Sequence, residues 1–205
     1  LSRDVFANDN EVLSKYLDEI YTAGSRGRDL IQQMMIFSRK DHDDESMTQM
    51  NLVPLLDETI SMLRATFPSS INITTSLENN IPQVKSNAGL ISQILMNLCI
   101  NARVALQGKG HITITLQRVN NSRAVCNSCH EWIRGDYIQC SVRDTGPGIT
   151  MEHLERIFDP FYTTKKSGPV KGTGMGLAMV HGIMHSHGGH VVVKTGAENC
   201  TTFSL

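Results

Sequence analysis

The sequence has almost no net charge. Its 205 residues carry 19 Lys and Arg against 20 Asp and Glu, a formal charge of −1. No field of that size supports a dominant phosphate-backbone mode of nucleic-acid binding, nor adhesion to an anionic membrane. Long apolar runs are missing too. The longest uncharged stretch, residues 86–102, is broken by Ser86, Asn87, Ser92, Gln93, Asn97 and Asn101 and is too polar to cross a bilayer. There is no internal repeat, no low-complexity tract, no initiator Met and no basic-then-apolar leader. The chain opens LSRDVF and stops at TTFSL inside strand-like residues, so the expectation is a fragment cut at both ends. Cysteine is sparse and odd in number, five in all, with Cys99 and Cys140 at apolar positions, as expected of reduced thiols in a cytoplasmic protein. What remains is an ordinary globular composition: 40% hydrophobic residues and sixteen glycines exclude a wholly disordered chain. At about 150 residues per domain, this length holds one domain and an appendage.

From Glu11 to Lys40, Leu13, Leu17, Ile20, Ile31 and Met34 fall on alternating four- and three-residue steps, with Gly24 and Gly27 between them. That spacing predicts a long helix, either an arm packed on its own domain or part of a dimerising or docking hairpin. The charged connector KDHDDES then places a boundary, with residues 1–45 as the appendage and 46–205 as the main domain. Within the latter, a helix is predicted from Leu52 to Phe67, a half-buried strand through Ile71, Ile73 and Leu77, and a second helix from Ala88 to Leu106. Ile112, Ile114 and Leu116, and later Ile138, Cys140 and Val142, alternate as two strands joined by a polar excursion. A glycine-punctuated stretch, Asp144 to Gly176, leads into a helix from Leu177 to about His187. Strands from His190 to Thr195 and from Thr201 to Leu205 pair across GAENC. Helices segregated from mostly antiparallel strands predict an α+β fold, a two-layer α/β sandwich.

Three features carry chemistry. On the second helix, Gln93, Asn97 and Asn101 recur every four residues beside an apolar stripe of Ile91, Leu95, Leu98, Ala102 and Ala105. Asn is a poor helix former, and buried amides need partners. Their carbonyls either serve a hard cation such as Mg²⁺ together with substrate phosphates, or satisfy neighbouring backbone. DTGPGI, Asp144 to Ile149, puts a carboxylate at a strand mouth, either to accept from an adenine amino group or simply to form a turn. GTGMGL sets Gly172, Gly174 and Gly176 immediately before a helix, whose first amides form an anion site suited to a triphosphate. Its spacing matches neither a dinucleotide fingerprint nor a P-loop. Between the two glycine clusters, FDPFYTTKKSGPVK offers Phe158 and Phe161 as anchors and Lys165, Lys166 and Lys171 as mobile cations, in a loop that either folds over a phosphate tail or is merely solvated.

In this order, the asparagine helix, DTGPGI, FDPFYTT and GTGMGL resemble the N, first-glycine, F and second-glycine boxes of the histidine kinase ATP-binding domain, over about residues 50–205. SRGRDLIQQMMIFSRK is similar to the second helix of that family's dimerisation and phosphoacceptor hairpin. The resemblance implies a Bergerat-type fold holding ATP under a mobile lid, with a mixed, mostly antiparallel sheet against helices and a remnant of the hairpin at the N-terminus. It implies Asn101 as the Mg²⁺ ligand with Asn97 beside it, Asp144 on the adenine amino group, Gly146 and Gly148 along the base, and Thr201 or Thr202 supporting it. Lys165 would reach phosphate, Gly172, Thr173, Gly174, Gly176 and Leu177 would cradle the phosphates, and the F-box aromatics Phe158 and Phe161 would count among the ATP-binding residues. ATP-hydrolysing relatives of the fold, such as gyrase B and MutL, place Glu where this chain has Asn97. With no carboxylate to activate water, the implied nucleophile is a hairpin histidine, of the same or a partner protomer, that passes phosphate to a response-regulator receiver domain. None of the eight His reads as that acceptor, so the chain is expected to bind Mg-ATP without phosphorylating itself, and to form a homodimer only if the lone hairpin helix sustains one.

Two motifs with metal-ligand residue types are read as structural. CNSCH, Cys126 to His130, suggests zinc, but His130 next to Cys129 is an awkward third ligand, so the reading is an insertion between strands. His181 and His185 sit one turn apart near a helix end that Gly188 caps. Rival readings are a non-catalytic ATP-binding regulatory module and a serine-directed anti-sigma kinase of the same fold; the long N-terminal helix ending FSRK argues against the second.

Overall fold

The computed structural model divides into two compact units, Leu1–Arg39 and Lys40–Leu205, and describes residues 16, 17, 20, 24, 47–164, 172–196 and 200–205. In the first unit Tyr16, Leu17, Ile20 and Gly24 are helical, and Tyr16 and Ile20 are exposed. The rest of the long helix predicted over Glu11 to Lys40, and the charged connector, lie outside the described residues.

In the second unit the elements run β1 (Thr48–Met50), α1 (Leu52–Thr66), β2 (Ile71–Leu77), β3 (Val84–Ser86), α2 (Ala88–Ala105), β4 (Gly110–Val125), β5 (Trp132–Asp144), α3 (Met151–Leu154), α4 (Gly176–Ser186), β6 (Val192–Gly196) and β7 (Cys200–Ser204). Both long helices start where Asn caps them. Asn51 accepts from Val53 N at 3.0 Å, and Asn87 from Leu90 N at 3.2 Å. α1 ends at Phe67, whose extended backbone (φ −89°, ψ 149°) is what the following Pro68 requires. It buries Leu52, Leu56, Thr59, Ile60 and Leu63, one helical face. α2 is long and apolar enough to cross a membrane by length and composition alone. Its stripe of Ile94, Leu95, Leu98, Cys99 and Ala102 is instead built into the core.

Five strands form one sheet in the order β2-β4-β5-β7-β6, parallel between β2 and β4 and antiparallel elsewhere. The parallel pair is joined by a crossover that carries β3 and α2, as such pairs require. Ile112, Ile114, Leu116, Val142, Val193 and Phe203 turn one face of the sheet toward the helices, and α2 packs on α1, on α4 and on β5. This is the α+β two-layer sandwich that the alternating strands predicted. Gly196 pairs with Cys200, so β6 and β7 do meet across the predicted turn, though residues 197–199 lie outside the described ones. Gly188 (φ 67°) follows the last turn of α4, and its N–H donates to His185 O at 3.1 Å, as the expected cap.

The structure departs from the sequence reading in one larger respect. The polar excursion between Leu116 and Ile138 is strand: β4 and β5 stay paired to Val125↔Trp132, with one bulge between Val119 and Ser122. At the bulge Asn121 has φ 52°, and its N–H donates to Asp136 Oδ1 at 3.0 Å. Most of that outer half of the hairpin is exposed, so it carries little of the hydrophobic alternation that marks a strand, and ladder hydrogen bonds hold it. The two-stranded β1–β3 sheet and the one-turn α3 are too short to leave a period in the sequence.

Candidate functional site

α2 supplies the floor of the site. Asn97 and Asn101 sit one turn apart, both half-buried, and Asn97 Nδ2 donates to Met179 Sδ of α4 at 3.6 Å. Gly176, the first residue of α4, lies directly over this stripe. A methyl group there would stand 3.7 Å from Asn97 Oδ1 and 3.8 Å from Asn101 Nδ2. Which end of each amide faces the glycine is fixed by hydrogen bonding and not by shape. Two side-chain amides thus adjoin a helix N-terminus, a setting that favours phosphates and, where the amide oxygens face them, the cation that accompanies them.

The turn before α4 is tied to the F-box. Gly174 has φ 70°, and a Cβ on it would collide with the Phe161 carbonyl carbon. Only glycine satisfies both constraints. Phe161 N donates to Gly174 O at 3.0 Å, and Phe161 itself adopts φ 66°, unusual for an aromatic residue. This corrects the expectation that both aromatics anchor the loop. Phe158 packs against the core, whereas Phe161 is 59% exposed, because its main chain, not its ring, makes the contact. Thr173 Oγ1 accepts from Met175 N at 3.4 Å, and Leu177 packs partly against the core. Gly172 is half-buried; Lys165, Lys166 and Lys171 lie outside the described residues.

At the other end of α2, β5 delivers Asp144. It is 4% exposed and accepts from Gly146 N at 2.8 Å. Burial raises its pKa above the ordinary carboxylate value, and the Gly146 amide offsets that only in part. Gly146 packs on the last turn of α2, where a Cβ would come 3.1 Å from Ala105 Cβ and 2.7 Å from Asp144 Oδ1. Gly148 (φ 81°) lies against Thr195, whose Oγ1 accepts from Ile149 N at 2.9 Å. Across the ladder Asp144 pairs with Thr201, also buried, while Thr202 pairs with Arg143 on the opposite face. Of the two threonines, Thr201 is therefore the one beside Asp144.

One helix thus connects a buried carboxylate at its C-terminal end to a glycine turn at its middle, eight residues or ~12 Å away along the axis. One contributor has no spacing that marks it in the sequence: Thr195, which pins the DTGPGI loop from another strand. Ala105, the last residue of the apolar stripe read along α2, is the small surface on which Gly146 rests. A separate apolar groove of about 440 Å³, lined in part by Leu56, Ile91, Tyr137 and Met184, contains none of these residues.

Residues 86–205 match the family described as histidine kinase-, DNA gyrase B-, and HSP90-like ATPase. The chain is 32% identical over 181 residues to the sensor kinase CckA of Brucella abortus (strain 2308), which covers 88% of this chain but 19% of that protein. The crystal structure of full-length ShkA in complex with AMPPNP superposes with a TM-score of 0.70 at 22% identity, covering 93% of this chain and 37% of that one. Histidine kinase ThkA, in complex with response regulator protein TrrA, superposes with a TM-score of 0.66 at 24% identity, covering 96% and 51%. At these identities both structures speak to the fold alone. Since the family match takes in the amide helix, both glycine turns and β7, and more than half of the chain, the protein belongs to the histidine kinase-, DNA gyrase B- and HSP90-like ATPases, as the ATP-binding catalytic domain of a sensor histidine kinase.

Proposed function

We propose that this domain binds Mg-ATP along α2 and presents the γ-phosphoryl group to a histidine on a dimerisation hairpin, for relay to a response-regulator aspartate. The observation that carries the reading is the convergence of Asn97 and Asn101 on Gly176 at the start of α4, with Asp144 buried at the far end of the same helix. In this reading Asp144 accepts from the adenine amino group, Thr201 supports it, and Gly146 and Gly148 let the base approach the backbone. Amides of residues 172–177 face the phosphates, with Lys165 as a further cation. The donor set suits Mg²⁺: Asn101 would hold it with Asn97 beside it, and when bound the ion neutralises charge on the phosphates.

Asn97 accounts for the absence of hydrolysis in this scheme. A neutral amide cannot take a proton from water at neutral pH, so the γ-phosphoryl group waits for a better nucleophile. His111, His130, His153, His181, His185, His187 and His190 all belong to the ATP-binding domain, and His42 lies outside the described residues. The 205 residues alone are therefore expected to leave no acid-labile label after incubation with γ-labelled ATP, and to transfer label when an intact hairpin is supplied in trans. Tight nucleotide binding without such transfer would favour a regulatory module. The deciding measurement is an ATP-analogue titration with and without Mg²⁺, repeated on Asn101→Ala and Asp144→Ala. Binding that ignored both substitutions would defeat the reading.

A further inference from the structure

The turn of the β4–β5 hairpin is docked on the residues that lead into β6. Asn127 N donates to Val191 O at 2.8 Å, Val193 N donates to Asn127 Oδ1 at 2.8 Å, and Val191 N donates to Cys126 Sγ at 3.3 Å. This fastening carries His190 to the turn, where its Nδ1 stands 3.8 Å from Cys129 Sγ. The ligand atoms of Cys126, Cys129 and His190 all lie within 4.8 Å of one another. His130, the neighbour that sequence spacing offered as third partner, is exposed and left-handed (φ 63°). The imidazole that does arrive comes from 61 positions further along the chain.

We propose that Cys126, Cys129 and His190 form a binding site for a zinc-class divalent ion, which clips the hairpin tip to the start of β6. Two sulfurs and an imidazole are the donors of a tetrahedral zinc site, whose edges run roughly 3.5–3.8 Å given Zn–S near 2.3 Å and Zn–N near 2.0 Å. The cluster needs only a small closure to reach that size. Such soft and borderline donors do not suit Mg²⁺ or Ca²⁺, which separates this site in chemistry from the amide stripe of α2.

The sulfur of Cys126 is already arranged as a ligand. Its Sγ accepts from the Val191 amide at 3.3 Å and lies 3.2 Å from the Ser128 Oγ. Cys126 is fully buried in a preformed cradle of donors, the arrangement that structural thiolates use. On ligation Cys129 gives its proton to solvent. The next imidazole, His185, has its ring centre 6.3 Å from that of His190 and stands outside the cluster, so among the described residues the fourth position is left to solvent.

The test uses the whole 205-residue chain, purified with a thiol reductant, loaded with Zn²⁺, desalted and analysed for metal. A parallel sample takes Co²⁺ and is read by visible absorption. The expected result is one zinc per chain and a tetrahedral cobalt spectrum with thiolate charge transfer. Cys129→Ser and His190→Ala, the two less buried ligands, should each weaken zinc at least about tenfold while leaving the circular dichroism spectrum unchanged. Trace zinc in the wild-type chain, zinc retained in both variants, an octahedral cobalt spectrum, or a Cys126–Cys129 disulfide under the same reductant would each overturn the proposal.

Discussion

The nucleotide cradle and the hairpin tip are built by opposite means. In the cradle the pieces that bear the chemistry are local, although Thr195 and Thr201 support them from other strands: two amides four residues apart on one helix, a carboxylate that accepts from an amide two residues on, a glycine turn leading straight into α4. At the tip the decisive partner is remote, since Cys129 meets His190 only after the chain has passed through β5, α3 and α4. The donors differ as well, hard amide oxygen in one and sulfur with imidazole in the other. Local constellations leave a spacing that can be recognised; remote ones require the topology first.

If the two regions are energetically separate, changes in one should not register in the other. The largest effect is expected from Asp144→Ala, which removes a buried charged acceptor. By calorimetric titration, ATP-analogue affinity should fall about 10–100-fold, with metal content at the hairpin tip unchanged; a parallel loss of metal would erase the distinction. Next comes a pair of glycines within the cradle. Gly174→Ala forces a β-carbon into Phe161 backbone at a positive φ and should cost about 1–3 kcal/mol in urea unfolding. Gly176→Ala meets only ordinary contacts and should hold its stability while losing analogue affinity, because its methyl occupies the space above Asn97 and Asn101.

Asn101→Ala should be milder, removing about 1 kcal/mol, or roughly fivefold, from the affinity gained on adding Mg²⁺. The smallest effect concerns pH. Because burial raises the pKa of Asp144 in the folded chain, its contribution to stability is complete below the ordinary aspartate value and is lost as pH rises through the raised one. Thermal midpoints of the nucleotide-free chain should therefore decline over that window, and Asp144→Asn should flatten the decline.

How much of this was legible follows from the same contrast. Asn97 and Asn101 stand out because asparagine at helical spacing beside Leu95 and Leu98 is costly unless used, and Gly174 because a glycine before a helix is seldom idle. The sandwich was readable from Ile112, Ile114 and Leu116, whose alternation reports a face covered by helices. Residues 117–137 were not, since an exposed ladder is held by backbone bonds that no side-chain pattern records. Phe161 was misjudged because aromatic character suggests burial, while its role here is carried by its N–H and its φ. His190 and Thr195 could not be assigned from spacing at all; each acts on a segment more than forty residues away.

The position of β7 has a consequence for when the chain becomes competent. Among the described residues β6 pairs only with β7, and β7 alone joins it to β5 while setting Thr201 beside Asp144. A nascent chain emerging from the ribosome can zip β2, β4 and β5 while β6 still waits. Until Cys200–Ser204 arrive, the open flank of β5 is a bare template for a stranger's strand, and chaperone demand should peak in that interval.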